Sequence, residues 1–342
     1  MSTTLPLLDF LKEAKESIVL DVRSEGEYKQ GHLPGAINVP LLNNEERKIV
    51  GTTYKQVGRE AAVIKGFELV GHKFADYIKL VQKLSPTKKI SVYCWRGGMR
   101  SNTMGWLLQL SGFNVSVLKG GYKTFRNWAL ETLKEERNVV ILGGKTCTGK
   151  TELLKKLKEK GEQVIDLEQL ACHKGSTFGA LGQDAQPSNE HFENVLAVEW
   201  YAYKNKNVIW LENESNRIGG IKIPDTVFEM MRKAKLIDVV LPLEQRIKRV
   251  LDEYAVFSVE LLEEGTRRLE KRLGNLRMTQ AIAFLKENKL EQWAKMMLDY
   301  YDDAYEYSNS KRETGTIKTM EIDDIVDLNV VEQLIVFANK MN

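Results

Sequence analysis

The sequence predicts an α/β protein of two domains, each built on a parallel sheet, with a helical region ending the second. At 342 residues, the chain is longer than one hydrophobic core usually supports. Two series of short β-type runs alternate with helical patterns, and such alternation is typical of parallel sheets. From about residue 244 to 303 the apolar spacing is mostly helical.

The first series occupies residues 1–130. Strands are predicted at 18–22, 37–39, 90–93 and 115–118, and helices at 71–84 and 101–110. The segment 122–137 is helical and increasingly charged, and we interpret it as the connector between the domains.

The second series occupies residues 131–342. Its first strand, 139–142, is apolar on both faces, as a central parallel strand should be. Further strands are predicted at 163–166, 208–211 and 237–241.

Composition narrows the class of protein. The 43% apolar and 28% charged residues are ordinary for a globular chain, and a net charge of +3 indicates that any nucleic-acid footprint is local. We see neither a signal peptide nor the roughly 20 apolar residues that a membrane helix needs. The three cysteines fit no metal motif and indicate reduced thiols in a cytoplasmic protein without a membrane partner.

Cys94 opens a glycine-containing loop between a predicted strand and a predicted helix. Such a loop can turn its N–H groups inward as a nest for a tetrahedral anion and favour the thiolate at its mouth. A buried, inert cysteine at a strand end is equally compatible with these residues. The candidate anion-binding residues are Trp95, Arg96, Gly97, Gly98, Met99 and Arg100.

The flanking sequence resembles the rhodanese family. The matching stretches are 20–24, 27–28, 31–38 and 118–122 with Trp128. The resemblance implies that Cys94 carries a persulfide-like chalcogen. It gives Arg23 and His32 structural roles, Arg23 tying loops together and His32 packing near a turn.

The loop is one residue longer than the usual rhodanese loop and has the form Cys-x5-Arg, ending at Arg100. That length resembles a related class of phosphatases whose larger loop surrounds phosphate. A wider nest suits a chalcogen-substituted phosphate, although loop length alone does not prove it.

A second anion loop, Gly144 to Thr151, matches G-x4-G-K-T between a strand and a helix. Gly144 and Gly149 allow the backbone to wrap a diphosphate, Lys150 supplies charge, and the Thr151 hydroxyl can reach Mg²⁺. Two acids at strand ends are candidates for the partner carboxylate: Glu212 first and Asp166 second. Neither has an unmistakable signature, so nucleotide hydrolysis does not follow.

Stretches beside these loops resemble one family as a whole, the tRNA 2-selenouridine synthases. They are 50–55 with Gly58, 94–101, 166–179, 186–188 with 192–194, and 212–219. The resemblance implies that geranyl diphosphate alkylates the sulfur of wobble 2-thiouridine in tRNA. Selenium from selenophosphate then replaces the geranylthio group. The resemblance implies no tightly bound cofactor, and it makes selenophosphate synthetase an expected partner. Whether Cys94 is the nucleophile or the selenium carrier stays open.

Other candidates each have two interpretations. His173 lies beside the diphosphate or is structural, and Arg217 holds a phosphate or an internal carboxylate. The segment 175–188 is a lid or a plain connector. A basic run, at helical spacing with Leu269, Leu273 and Leu276 on another side, is a tRNA footprint or a solvated face. Its cations are Arg267, Arg268, Lys271 and Arg272.

The main alternative function is a rhodanese-type sulfurtransferase with an NTP-dependent P-loop activator domain. A phosphatase is favoured only by the Cys-x5-Arg spacing. A nucleotide-gated binding module would not need two anion loops.

Overall fold

The computed structural model of the protein describes residues 3–203, 207–313, 315–325 and 328–341. The chain divides into two compact units. The first comprises Met1–Thr132 with Ser188–Val198, and the second comprises Leu133–Pro187 with Glu199–Asn342. The first unit therefore contains a short segment from within the region predicted as the second domain.

The first unit is built on a five-stranded sheet in the order β1-β5-β4-β2-β3, with every neighbouring pair parallel. The strands are β1 (Thr3–Leu5), β2 (Ile18–Asp21), β3 (Ile37–Asn38), β4 (Lys89–Tyr93) and β5 (Asn114–Leu118). This confirms the parallel sheet predicted for the N-terminal domain.

Seven helices and a short 3-10 turn at Gly71–Lys73 belong to this unit among the described residues before residue 133. They are α1 (Leu7–Glu13), α2 (Glu25–Gln30), α3 (Asn44–Gln56), α4 (Arg59–Val70), α5 (Phe74–Leu84), α6 (Met99–Leu110) and α7 (Gly121–Thr132). A capping box begins α3, because Asn43 and Glu46 each accept a backbone N–H of the other.

Helix α7 corrects the interpretation of 122–137 as a connector. It ends at Thr132, and Tyr122, Phe125 and Ala129 on its inner face are fully buried. This apolar face packs with Phe10 in the core of the first unit. The prediction of a connector relied on the charges at the end of the segment and overlooked this face.

The second unit has its own five-stranded sheet, in the order β12-β11-β6-β8-β7, again parallel throughout. The strands are β6 (Val139–Gly143), β7 (Gln163–Val164), β8 (Ile209–Glu212), β11 (Lys235–Val240) and β12 (Ile317–Glu321). The predicted apolar strand is central, as expected. A small hairpin pairs β9 (Arg217–Ile218) with β10 (Ile221–Lys222).

Ten helices lie in the described residues after residue 132, and those between residues 243 and 309 form the predicted helical part. The ten are α8 (Lys150–Glu159), α9 (Leu167–Ala171), α10 (Asn189–Ala202), α11 (Asp225–Lys233), α12 (Leu243–Tyr254), α13 (Val259–Arg267), α14 (Glu270–Leu273), α15 (Asn275–Lys286), α16 (Leu290–Asn309) and α17 (Leu328–Met341). Residues 189–198 of α10 belong to the first unit. A core centred on Trp293 holds the later helices together, separate from the core of the sheet.

Candidate functional site

The Cys94 loop follows β4 and leads into α6. The Cys94 sulfur lies 3.3 Å from the Gly98 nitrogen, whose N–H it accepts, and 3.2 Å from the Ser101 hydroxyl. Gly97 has φ of 64°, and a side chain there would lie 2.6 Å from the Leu118 carbonyl oxygen. The loop therefore needs glycine at this position and directs a backbone N–H at the thiol.

The start of α7 holds the loop in place. The N–H groups of Tyr122 and Lys123 donate to the carbonyls of Cys94 and Trp95 at 2.8 and 3.0 Å. A Cβ on Gly121 would lie 2.3 Å from the Cys94 oxygen, so only glycine permits this approach. The Gly-Gly-Tyr sequence thus fixes the backbone beneath the thiol.

Arg100 lies in the first turn of α6 and is held by an acid. Its guanidinium donates to both oxygens of Glu27, at 2.6 and 3.3 Å, and Arg47 reaches the same carboxylate at 3.0 Å. Burial alone would raise the pKa of Glu27, but the Arg100 hydrogen bond and charge outweigh it and lower the pKa. An anion in the loop would share Arg100 with Glu27.

Trp95, Arg96 and Met99 are exposed on the loop, whereas Cys94 is only 3% exposed. A bound anion would therefore meet exposed side chains around a recessed sulfur. Gly97 and Gly98 are half-buried beneath them.

Arg23 has the structural role expected of it. It is fully buried, pairs with Asp21 at 2.6 Å and donates to the Gly31 carbonyl at 2.6 Å. Its guanidinium also lies 3.8 Å from the centre of the Tyr122 ring. The arginine therefore joins the end of β2 to the loop after α2 and to α7.

His32 also lies within a packed arrangement. Its ring stacks on Tyr28 at 3.7 Å and on His191 at 3.8 Å, and its Nδ1 lies 2.9 Å from the Tyr28 carbonyl oxygen. Burial lowers the pKa of both histidines, that of His191 to about 4. The histidines are therefore neutral packing groups at pH 7.

The segment Ser188–Val198 is bonded into this part of the first unit. Asn194 donates to the Tyr122 hydroxyl at 2.7 Å and to the His32 carbonyl at 3.1 Å. The Tyr122 hydroxyl donates to Glu190 at 2.6 Å, and Arg126 donates to Asn194 at 3.0 Å. Tyr122, whose amide supports the Cys94 loop, is thus the anchor of the segment.

The P-loop connects β6 to α8. Gly149, with φ of 80°, precedes the helix, and Gly144, with φ of 145°, has no room for a side chain because Thr148 lies 2.4 Å from the Cβ position. Lys150 donates to the Gly144 carbonyl at 3.1 Å, so its ammonium folds back across the loop. The expected diphosphate ligands Gly144, Gly149, Lys150 and Thr151 are therefore brought together.

Three carboxylates gather beside the P-loop: Glu168, Glu212 and Glu214 have oxygens within 4.8 Å of one another. The Thr151 hydroxyl donates to Glu212 at 3.2 Å. Glu212 is fully buried, and its second oxygen has no hydrogen-bond partner among the described residues. Burial first, and then the neighbouring carboxylates, raise the pKa of all three.

The structure distinguishes between the two acids that were considered as the partner carboxylate of the P-loop. Glu212 lies at the Thr151 hydroxyl as expected, while Asp166 caps α9 by accepting the Gln169 N–H at 2.8 Å. Sequence reasoning missed Glu168 and Glu214 as site residues. Their only signal was membership of the stretches 166–179 and 212–219.

Helix α16 holds the P-loop from the other side. The Tyr305 hydroxyl accepts the Gly144 N–H at 2.7 Å and donates to Asp238 at 2.6 Å. Arg246 donates to the Thr146 carbonyl at 2.9 Å and pairs with Asp302 of α16. The Gly144 N–H is thereby already used, so a diphosphate must rely on the later amides of the loop.

A second cation stands beside the start of α8. The guanidinium carbon of Arg249 lies 3.5 Å from the Cβ position of Gly149. Arg249 pairs with Glu152, yet its buried Nε has no partner among the described residues. This arginine, which the sequence did not single out, adds positive charge at the end of the loop that leads into α8.

His173 and Arg217 differ in their surroundings. His173 is 9% exposed, and a Cβ on Gly179 or Gly219 would lie 2.7 Å from its ring, which indicates a packing role. Burial lowers its pKa, and its Nδ1 has no partner among the described residues. Arg217 is exposed in β9.

Residues 175–187 of the predicted segment 175–188 belong to the second unit and are tethered within it. Phe178 is 4% exposed and packs in the helical core against Tyr254 and Trp293. Gln186 donates to the carbonyls of Ala171 and Ile218 at 2.9 and 3.0 Å. These contacts favour the connector over the lid.

Comparison with known proteins follows the same division of the chain. Residues 6–127 match the family model of the rhodanese-like domain. Residues 137–333 match the family model of the tRNA 2-selenouridine synthase AAA domain. The chain belongs to the tRNA 2-selenouridine synthase family. This confirms the family resemblance and the predicted order of the two folds.

Curated members of this family are similar over most of their length. The tRNA 2-selenouridine synthase of Proteus mirabilis is 33% identical over 91% of this chain and 94% of its own. That of Sulfurovum sp. is 35% identical over 84% and 88%, and that of Nitrosomonas europaea 33% identical over 86% and 76%. Family membership makes the chain an enzyme that modifies tRNA, with 2-selenouridine as the product for which the family is named.

No helix of the described residues is both long and apolar enough to cross a membrane.

The basic run differs from the single helical face that its spacing predicted. The chain leaves α13 after Arg267 and restarts as α14 at Glu270. Arg267 and Arg268 pair with Glu263 and Glu264, one turn earlier, at 2.5 and 2.6 Å. Half of the predicted tRNA footprint is therefore compensated by acids.

The apolar side of that prediction is correct for two of the three leucines. Leu269 and Leu273 are buried, but Leu276 is 83% exposed. Gly274, with φ of 79°, turns the chain before α15 and so points Leu276 away from the core.

Proposed function

We propose that the protein converts the wobble 2-thiouridine of tRNA into 2-selenouridine in two steps, one at each anion loop. The observation that supports this best is the presence of a thiol-bearing anion loop and a diphosphate-type loop in one chain of this family. A sulfurtransferase with an NTP-dependent activator would also use both loops, so the reaction products decide between the two.

The first step is assigned to the P-loop. The 2-thio sulfur forms a bond to C1 of geranyl diphosphate, the C1–O bond breaks, and diphosphate leaves with the bonding electron pair. The thiouridine loses its N3 proton to solvent. Lys150 and Arg249 stand where they can stabilise the departing negative charge.

We assign a Mg²⁺ ion to the carboxylates beside the P-loop. The Thr151 hydroxyl and the oxygens of Glu168, Glu212 and Glu214 are ligands that Mg²⁺ prefers. A divalent cation would also compensate the buried, partnerless oxygen of Glu212. When bound, Mg²⁺ supplies positive charge to the diphosphate.

The second step is assigned to the Cys94 loop. Selenium from selenophosphate forms a bond to C2 of the base, the C2–S bond breaks, and geranylthiol leaves. Water supplies the oxygen that turns the remaining phosphorus group into phosphate, and its protons go to N3 and to the thiol. No oxidant or reductant is needed. The Gly98 N–H and Arg100 are positioned to hold the tetrahedral anion beside Cys94.

Mass spectrometry of an RNA anticodon stem-loop carrying 2-thiouridine tests this assignment. The purified protein with geranyl diphosphate and Mg²⁺ should give the S-geranyl product, and adding selenophosphate should give 2-selenouridine with geranylthiol. Sulfur transfer that depends on ATP and ignores geranyl diphosphate would instead support the sulfurtransferase.

A further inference from the structure

A cavity in the first unit adjoins the Cys94 loop, from which it takes Met99 and Arg100 as part of its wall. It has a volume of about 350 Å³, within the range of small-molecule pockets. One side is formed by α3 and α4, and the other by the first turns of α6, at Met99, Arg100 and Thr103. Met99 directly follows Gly98, whose N–H points at the Cys94 sulfur.

The cavity is apolar inside and rimmed by exposed apolar groups. Leu41, Leu42, Ala62 and Val70 are each no more than 7% exposed and contribute to its wall. Large apolar side chains stand around the same cavity with much of their surface in water: Tyr54 at 60%, Phe67 at 46% and Met99 at 48%. Apolar surface in a concave site is what an apolar ligand would cover.

One of the two cations that line the cavity fits the remainder of such a ligand. Arg59 and Arg100 are the only charged residues in its wall among the described residues, and Arg100 is already paired with Glu27 beside the Cys94 loop. A ligand with an apolar chain and a neighbouring phosphate, as on RNA, would cover the apolar wall and place its phosphate at Arg59.

A third reason to regard this cavity as functional comes from the sequence. The stretch 50–55 with Gly58 resembles the synthase family, yet neither anion loop uses it. In the structure, Val50 and Tyr54 from this stretch line the cavity. A chemical role for the cavity would account for that otherwise unexplained stretch.

We propose that this cavity binds the geranyl chain of S-geranyl-2-thiouridine while selenium replaces its sulfur. The inference rests on the proposed function, since it needs the S-geranyl group as an intermediate. Binding of the geranyl chain would then position the modified base at the Cys94 loop. The loop thereby selects the alkylated base, whose sulfur can leave as a thiol, over unmodified 2-thiouridine.

The test uses the purified full chain, selenophosphate and anticodon stem-loops that carry S-geranyl-, S-dimethylallyl- or S-farnesyl-2-thiouridine. Mass spectrometry follows the formation of 2-selenouridine from each substrate and gives its specificity constant, kcat/KM. Dimethylallyl has five fewer carbons than geranyl, so we expect wild type to prefer geranyl by at least about 100-fold.

Two variants alter the length of the cavity in opposite directions. Val63→Phe fills it and should lower the geranyl-to-dimethylallyl ratio at least about tenfold. Phe67→Ala enlarges it and should raise the specificity constant for the farnesyl substrate relative to geranyl. The matched control is Ile64→Phe, on the same helix but 62% exposed and outside the cavity, which should leave both ratios unchanged.

The outcomes separate this inference from the function on which it rests. If wild type gives no 2-selenouridine from the S-geranyl substrate, the proposed function fails. If it does so but shows no chain-length preference, or if both cavity variants keep the wild-type ratios, the cavity holds something else, such as a protein side chain or a second copy. A Val63→Phe protein that has lost activity on every substrate leaves Phe67→Ala to decide.

Discussion

Among the three thiols, Cys94 differs from the others by what surrounds its sulfur. Cys94 accepts a backbone N–H and contacts a hydroxyl, so polar groups of the anion loop surround its sulfur. Burial raises the pKa of Cys147 to about 11, so that thiol stays protonated although it lies within the P-loop. Cys147 is therefore assigned no chemistry.

Cys94→Ala should abolish selenium incorporation, because the thiol belongs to the loop that is assigned to selenophosphate. Geranylation should stay largely intact, because alkylation is assigned to the P-loop. The nucleosides of treated stem-loop RNA, analysed by mass spectrometry, should then contain S-geranyl-2-thiouridine and no 2-selenouridine. Cys147→Ala is the matched control and should retain both products. Normal 2-selenouridine in the Cys94→Ala protein would show that the thiol has no chemical role.

Lys150→Ala should have the opposite effect. Loss of the ammonium removes about 3 kcal/mol of support for the departing diphosphate, which corresponds to roughly a 100-fold lower rate of geranylation. Selenation of pre-formed S-geranyl RNA should continue. The matched control is Lys155→Ala, which removes an exposed lysine of the same helix and should leave the rate of geranylation unchanged. If Lys150→Ala geranylated at the wild-type rate, the P-loop would bind another ligand.

At the scale of secondary-structure elements, the N-terminal part of α10 is the least expected member of its unit. It carries Glu190, His191 and Asn194 to the surroundings of Tyr122 and His32. Because His32 and His191 are stacked and neutral, protonation of either would place a charge within the stack.

Acid should therefore loosen this segment. The pKa of His191 is near 4 in the folded chain and about 6.5 when unfolded, so the unfolded state binds more protons between these values. The stabilisation is complete above pH 6.5 and is lost as the pH falls towards 4. Hydrogen-exchange protection factors of residues 188–198 should fall over that range.

His191→Phe keeps an aromatic ring without a titrating group, and should flatten the pH dependence of those protection factors. His72→Phe, at an exposed histidine of the same unit, should leave it unchanged. Equal pH profiles for wild type and His191→Phe would exclude protonation of His191 as the cause.

Most of the strands that the sequence revealed have buried side chains, although β3 is only half-buried. The residues of β6 are buried without exception, and their apolar run predicted a central strand. The edge strands β1 and β12 were missed because they pair through the backbone while most of their side chains stay exposed. Apolar periodicity carries no signal for such strands.

The two anion loops could be predicted from the sequence, but the residues from other elements that contact the P-loop could not. Cys94 and Lys150 lie in local motifs, so spacing along the chain was sufficient. Glu168, Glu214 and Tyr305 reach the P-loop only through the fold, from residues up to 161 positions away. No pattern in the sequence encodes that proximity.

For the molecule as a whole, binding of tRNA requires cations that contact its phosphates. If Arg267, Arg268, Lys271 and Arg272 contact phosphates, replacing them with Ala should weaken tRNA binding without changing which base is modified. Each lost contact should reduce the slope of log K against log salt by about 0.7 to 0.9. Fluorescence titrations at several salt concentrations measure both quantities.

The ion pairs of Arg267 and Arg268 allow a second variant that should change the affinity for tRNA in the opposite direction. Glu263→Gln with Glu264→Gln frees those arginines and should strengthen tRNA binding. Unchanged affinity and salt slope in both variants would identify the run as an ordinary solvated surface.

The return of Ser188–Val198 to the first unit has a consequence for how this protein can be divided. The chain passes between its two units three times, at residues 132, 187 and 198. A cut after Thr132 would therefore separate the N-terminal fold from a segment that satisfies the Tyr122 hydroxyl and the His32 carbonyl. The thiol-bearing unit is therefore completed by residues that follow the P-loop in the chain, so a fragment that ends at Thr132 would lack part of its own fold.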